Sequence, residues 1–115
     1  MTLTVTAYHA TEDADGERLE EIACPSDLAG FESTRRTFYA GPTARRLGLT
    51  LLPQLAASDL WARGDELTAL RAEVVAMLNN LPTDGDPYWP FRLNNILQAI
   101  EAASAFGPEG LVVIG

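Results

Sequence analysis

The sequence predicts an α+β domain in which a small, mostly antiparallel sheet packs against three to four helices. Three observations lead to this prediction. Residues 2–9 alternate strictly, residues 65–81 and 89–106 carry apolar side chains at helical spacing, and residues 111–114 are continuously apolar. A length of 115 residues suits a single domain, residues 1–115, that is long enough to bury a core.

A β-hairpin is expected at the start of the chain. Residues 2–9 alternate between two faces, which is the period of a strand with one buried face. Asp15 and Gly16 form a preferred centre for a two-residue hairpin turn, because both turn positions must tolerate positive φ. With this turn, Ile22 lies opposite His9, and the apolar residues of the second strand meet the buried face of the first.

Short helices are predicted in the middle of the chain. Ser26 is a favourable N-cap, and the partial apolar stripe that follows it predicts a helix up to Gly41. Pro42 suits the first turn of a second, short helix that ends at Gly48. Residues 49–57 are apolar and interrupted by a proline, which indicates a buried, irregular segment.

A short strand and two long helices come next. Residues 59–63 predict the strand, and Asp65 is expected to cap a helix whose buried stripe ends at Pro82. The last helix covers residues 89–106 and stops at Gly107. The apolar run at residues 111–114 predicts a strand buried on both faces, in a central position beside the first strand.

Most of the formal charge of −8 comes from one segment. Residues 12–32 hold eight acids and one arginine, whereas the other acids and arginines nearly cancel. Such a segment favours a protein partner with a basic surface, and a net negative chain disfavours nucleic acid. The residues expected to contact the partner are Asp13, Asp15, Glu17, Glu20 and Glu21. The other interpretation is that these carboxylates only solvate an exposed hairpin and protect its edge.

The composition also bears on the compartment. No apolar run approaches the roughly 18 residues that cross a bilayer, so no membrane partner is expected. Residues 2–9 lack the basic and long apolar regions of a secretory signal. A single cysteine forms no internal disulfide, which agrees with a reducing compartment. These features together predict a soluble, cytoplasmic protein.

No residue pattern indicates catalysis. The predicted hairpin puts Cys24 opposite Ala7 and near His9 on one buried face, where a thiol acts as a small apolar group. One cysteine and one histidine fall short of a zinc site. Asp84 and Asp86 lack the remaining ligands of a calcium loop. We therefore expect no catalytic residue, no metal and no cofactor, and an enzyme is the less favoured class.

An aromatic cluster before the last helix is a second candidate site. Arginine beside aromatic residues is the composition favoured at interface hot spots. The structural interpretation is that Trp89 and Phe91 fill one end of the core while Arg92 and Asn95 bind backbone carbonyls. A pocket shared with Trp61 would instead suit a small molecule. The possible second site comprises Trp61, Tyr88, Trp89, Arg92 and Asn95.

Three short segments resemble a family of small acidic bacterial proteins. They are residues 27–33 (DLAGFES), 64–67 (GDEL) and 92–96 (RLNNI). These motifs carry no known chemistry. In size and charge the chain is also similar to immunity proteins that neutralise bacterial toxins. The second resemblance implies a non-enzymatic binding function and transfers no site residue.

Three hypotheses of function follow from these observations. The favoured one is a non-enzymatic binding protein, an immunity-type inhibitor whose acidic face blocks a basic partner. The second is a small enzyme or ligand-binding domain that uses the aromatic pocket. The third is a self-associating regulatory module, a homodimer in which the apolar residues 49–55 pack against a second copy.

Overall fold

The computed structural model describes residues 1–115 and confirms the α+β architecture, with a five-stranded antiparallel sheet and three α-helices. The strands are β1 (Thr2–Asp13), β2 (Gly16–Ile22), β3 (Leu28–Phe31), β4 (Leu60–Arg63) and β5 (Gly110–Ile114). The helices are α1 (Pro42–Arg46), α2 (Asp65–Leu78) and α3 (Trp89–Ser104). A π-helical turn, Arg35–Tyr39, and two 3₁₀ turns, Leu52–Ala56 and Gly107–Glu109, complete the connections.

The strand order of the sheet is β2-β1-β5-β4, and β3 pairs with the first residues of β1. Every pair is antiparallel. The C-terminal strand β5 therefore lies between β1 and β4, which confirms its predicted central position. β2 and β4 are the outermost strands, and β3 continues the β2 side of the sheet along the start of β1.

One face of the sheet is buried under α2 and α3. The inward residues of β1 and β5 alternate with outward ones, as the pleat requires. Both helices bury the apolar stripes that the sequence predicts. The opposite face carries no helix, and we call it the open face. Trp61 of β4 lies there and is 55% exposed, whereas its neighbours Leu60 and Ala62 are buried in the core.

The predicted hairpin is present, but its turn lies one residue earlier than expected. Asp13 pairs with Gly16, so Ala14 and Asp15 form the turn. The carboxylate of Asp13 accepts the N–H of Asp15 at 2.8 Å, which stabilises this turn through a local side-chain contact. Gly16 supplies the positive φ, +113°, directly after the turn.

The earlier turn shifts the pairing of β2 by two residues. Ile22 lies opposite Ala7 rather than His9, and Glu20 lies opposite His9. β2 ends before Cys24 reaches the sheet. Because side chains alternate with a period of two, the shift keeps each side chain on its predicted face.

The helix predicted from Ser26 to Gly41 is wrong in its first half, and only Arg35–Tyr39 is helical, as a π-helical turn. β3 forms there instead, because the edge of β1 at its first residues is free to pair. Gly30 has a φ of +134°, which no helix accepts. Leu28 and Phe31, expected in a buried stripe, are exposed. Ser26 accepts the N–H of Leu28 at 3.3 Å, a turn contact rather than a helix cap.

The remaining elements follow the predictions with small differences. α1 begins at Pro42, and the irregular apolar segment contains a 3₁₀ turn with fully buried leucines. Gly64, not Asp65, is the N-cap residue of α2, and α3 ends at Ser104, two residues before the predicted end. No helix in the structure is long and apolar enough to cross a membrane.

Candidate functional site

The acidic hairpin, residues 12–21, is the main candidate site. It holds six acids and one arginine. Six of the seven residues of β2 are exposed, because β2 packs chiefly against β1 and is covered by no helix. The predicted partner-contact acids therefore all lie on one exposed hairpin. The molecule as a whole measures 51 × 26 × 23 Å.

The pleat of β2 divides these acids between two surfaces. Glu17, Leu19 and Glu21 lie on the open face, and Arg18 and Glu20 lie on the opposite face. The other two predicted acids, Asp13 and Asp15, lie at the turn of the hairpin. The five residues are thus neighbours along a ribbon rather than members of one flat patch, and a partner that contacts all of them must follow the ribbon.

Two acids of the hairpin are already paired inside the molecule. Asp13 lies 3.4 Å from Arg18, and Glu17 receives two hydrogen bonds from Arg63, at 2.9 and 3.0 Å. The hydrogen bond from Arg63 lowers the pKa of the Glu17 carboxyl below its ordinary value. The acids that form no ion pair are Glu12, Asp15, Glu20 and Glu21.

Arg63 is a central residue of this region that the sequence analysis missed. Its Nε donates to the carbonyl of Pro108 at 3.0 Å, and its Nη2 also reaches Glu109 at 3.3 Å. It therefore joins β4, β2 and the 3₁₀ turn before β5. Arg63 and Glu17 are 46 residues apart, so no local pattern could have identified the pair.

The second candidate site does not form as one pocket. Trp61 lies on the open face, whereas Tyr88, Trp89 and Arg92 lie at the start of α3, which packs on the other face and against β3. The three surface cavities, of about 330, 550 and 300 Å³, are lined by other residues. The predicted aromatic pocket is therefore wrong.

Arg92 has a structural role, and its side chain lies among several aromatic side chains. Its side chain is 11% exposed, and its guanidinium lies 4.8 Å from the ring of Trp89 and 5.1 Å from that of Phe31. It donates to Asp86 at 2.9 Å. Asp86 also accepts the N–H of Tyr88, and these two contacts lower its pKa. Arg92 thus binds a carboxylate, not a carbonyl as expected, and fixes the loop before α3.

The structural interpretation is confirmed for Trp89 and Asn95. Trp89 is stacked on Phe38 with ring centroids 3.6 Å apart. Asn95 is 2% exposed and donates to the carbonyl of Leu28 at 2.9 Å. The expectation for Phe91 is wrong, since its side chain is 48% exposed and does not fill the core.

Cys24 and His9 contact different residues. His9 stacks on Phe106 with ring centroids 4.0 Å apart. Cys24 follows β2 and contacts the carbonyl of Ile22 at 3.7 Å. Burial, together with the charge of Glu21, raises the pKa of the Cys24 thiol. The thiol therefore lacks both a base and the lowered pKa that a nucleophile needs. No group of three acidic, histidine or cysteine side chains is arranged to hold a metal ion.

The apolar segment proposed for self-association is used inside the molecule. Leu52 and Leu55 are fully buried in the core. The carboxylate of Glu73 on α2 accepts the backbone N–H groups of Thr50, Leu51 and Leu52 at 2.9 to 3.1 Å. These two leucines are therefore used inside the molecule and offer no surface to a second copy.

Comparisons of the chain with protein-family models, with curated proteins and with solved structures found no match. The candidate site is therefore defined by its own geometry and charge.

Proposed function

We propose that this chain is a non-enzymatic, cytoplasmic binding protein, an immunity-type inhibitor that uses the acidic hairpin to cover a basic surface of another protein. One observation carries the proposal. Glu12, Asp15, Glu20 and Glu21 are exposed on one hairpin, and no cation of the chain pairs with them.

The rest of the molecule supports this proposal by contrast. Arg35 binds Glu32 at 2.6 Å and Asp59 at 2.7 Å, and Arg92 binds Asp86 at 2.9 Å. The ten acids outside the hairpin share the rest of the chain with seven arginines, whereas the hairpin holds six acids and one arginine within ten residues. Like charges this close repel each other, and a basic partner would relieve that repulsion on binding.

The mechanism of inhibition would be electrostatic steering followed by steric occlusion. A field of one sign speeds the encounter with a basic surface and fixes the orientation of the partner. An exposed two-stranded ribbon can then follow a cleft that a flat surface would not enter. Inhibition by occlusion requires no catalytic group.

The test compares two double variants with the same change of charge. Glu20→Lys with Glu21→Lys reverses the unpaired acids of β2, and Asp84→Lys with Glu101→Lys reverses two exposed acids elsewhere. The partner is the protein that the wild-type chain retains from a lysate of its source organism. We expect the hairpin variant to associate at least about tenfold more slowly, and the control variant to remain close to wild type.

Salt provides the second readout. The difference in association rate between wild type and the hairpin variant should shrink as ionic strength rises. The reason is that the screening length falls from about 8 Å at 0.15 M to about 3 Å at 1 M. Equal slowing by both variants would show a general charge effect. An unchanged association rate in the hairpin variant would overturn the proposal.

A further inference from the structure

The backbone groups of the sheet can be assigned to the two sides of β1. Thr4 and Gly115 exchange both backbone hydrogen bonds, at 3.0 and 2.9 Å. Even-numbered residues of β1 therefore direct their N–H and C=O groups toward β5. The N–H of Val5 donates to the carbonyl of Asp27 at 2.9 Å on the other side. Odd-numbered residues thus face the side where β2 lies.

The same alternation determines which backbone groups of β2 point away from the sheet. Arg18 and Glu20 lie opposite odd-numbered residues of β1 and complete the ladder with them. Glu17, Leu19 and Glu21 must then direct their N–H and C=O groups away from the sheet. No other backbone or side-chain group of the chain bonds to these six groups.

This edge lacks most of the features that usually protect one. β2 contains no proline, its pairing with β1 has no bulge, and no helix or loop covers it. Its protection is charge alone. Antiparallel pairing of two β2 strands about Leu19 would set Glu17 against Glu21 on one face and Arg18 against Glu20 on the other, so a second copy gains no net charge complementarity. The same carboxylates favour a strand of opposite charge.

We propose that the β2 edge binds an extended, basic segment of the partner, which adds to the sheet as a further antiparallel strand. This inference rests on the proposed function and specifies how the partner is held. Backbone hydrogen bonds to Glu17, Leu19 and Glu21 would provide affinity, and the side chains of the segment would provide specificity.

The sequence of that segment follows from the residues it would face. Positions opposite Glu21 and Glu20 favour two consecutive basic residues, one on each face of the sheet. The position opposite Leu19 favours an apolar residue. Glu17 is already paired with Arg63 and imposes no charge. Because the strands run antiparallel, the motif reads basic, basic, apolar from the N-terminus.

The probe is a nonapeptide, Thr-Val-Thr-Arg-Arg-Val-Thr-Val-Thr, which carries this motif in an extended sequence. Two N-methylated isomers of equal composition and charge provide the contrast. The first is methylated at the first arginine and at the valine after the arginine pair, whose N–H groups would face β2. The second is methylated at the second arginine, position 5 of the peptide, and at the threonine in position 7. The N–H groups of these two residues would face away from β2.

Calorimetric titration of the wild-type protein decides between edge pairing and charge alone. We expect the parent peptide and the second isomer to bind similarly, and the first isomer to bind about tenfold more weakly or worse, since it loses two hydrogen bonds. Equal binding of both isomers overturns edge pairing, as does no binding of the parent peptide. Neither result affects the proposed function, which is decided by the association rates above.

Two protein variants complete the test. Leu19→Pro removes an N–H that has no partner in the sheet, so it should block the edge without changing charge. Glu20→Arg with Glu21→Arg should lose the parent peptide and bind a peptide with two glutamates in place of the arginines. If circular dichroism shows that Leu19→Pro does not fold, the binding of the two peptide isomers to the wild-type protein still decides between edge pairing and charge alone.

Discussion

The guanidinium of Arg63 binds both carboxylate oxygens of Glu17, at 2.9 and 3.0 Å, and thereby joins the two outermost strands of the sheet. β1 and β5 lie between them. Ala10 and Leu111, which face the open side in this region, are nearly inaccessible although no helix covers them. The ion pair therefore holds the hairpin against the body of the domain, and both partners remain partly exposed.

This pair gives stability a defined dependence on pH. Because the hydrogen bond from Arg63 lowers the pKa of Glu17 below 4.5, its stabilisation is fully present above that value. It is lost as pH falls through the lower pKa of the folded state. Glu17→Gln should therefore be less stable than wild type at about pH 7, with a difference in unfolding free energy that shrinks as the pH falls through the lowered pKa of Glu17. Urea unfolding at several pH values measures this, and a difference that grows in acid would contradict it.

Glu73 should be important for stability although it is remote from the hairpin. Its carboxylate accepts three backbone N–H groups at the start of the 3₁₀ turn Leu52–Ala56. Glu73→Gln should cost about 1–3 kcal/mol of unfolding free energy, since the amide replaces one acceptor by a donor. Glu101→Gln, on an exposed acid of α3, should change little. A similar loss in both variants in urea unfolding would show that the three hydrogen bonds contribute nothing specific.

Gly30 should tolerate no side chain. A Cβ atom there would lie 2.7 Å from Oγ1 of Thr34 and 3.2 Å from the Trp89 ring. Gly16 also has a positive φ, but a Cβ there would meet nothing within 4 Å. Gly16→Ala thus measures backbone strain alone, of about 1–3 kcal/mol, and Gly30→Ala should cost more. Thermal unfolding of both variants compares them, and an equal loss would refute the steric contribution.

Asn95 and Asn94 are neighbours with different roles. Asn95 is buried and holds the carbonyl of Leu28, whereas Asn94 is exposed and bonds the carbonyl of Pro90 within its own helix. Asn95→Ala removes a buried amide and leaves the carbonyl of Leu28 without its donor, which should cost about 1–3 kcal/mol. Asn94→Ala should be nearly neutral. Denaturant unfolding distinguishes them, and equal stability of the two variants would contradict the role given to Asn95.

The Cys24 thiol should react slowly. Burial and the charge of Glu21 raise its pKa, so less thiolate is present at neutral pH than for a free cysteine. Alkylation by iodoacetamide should be slower in the folded protein than in urea, and Glu21→Gln should speed it. Alkylation as fast as that of the unfolded chain would show that the thiol is not protected.

The elements that the sequence predicted correctly have local causes. The alternation along β1, the apolar stripes of α2 and α3 and the apolar run of β5 each record burial of one neighbouring stretch. The turn at Ala14 and Asp15 was displaced because the Asp13 side chain bonds the backbone two residues later, which competes with the turn preference of Asp-Gly.

The features that the sequence did not predict depend on distant residues. β3 forms because β1 offers an edge about 27 residues earlier in the chain, and helical signals after Ser26 are weaker than that pairing. The pair of Arg63 with Glu17 and the cap by Glu73 link residues more than 20 apart. Contacts of this kind leave no periodic pattern, so only the folded chain reveals which acids remain unpaired.

The two tryptophans provide optical reporters for different events. Trp89 is 7% exposed and stacked on Phe38, so its emission should follow unfolding of the core. Trp61 is 55% exposed on β4, at the far side of the open face from β2. A ligand confined to the β2 edge leaves Trp61 accessible to an aqueous quencher such as acrylamide, whereas a partner that spreads across the open face shields it. The extent of the bound surface can thus be measured on the unlabelled protein.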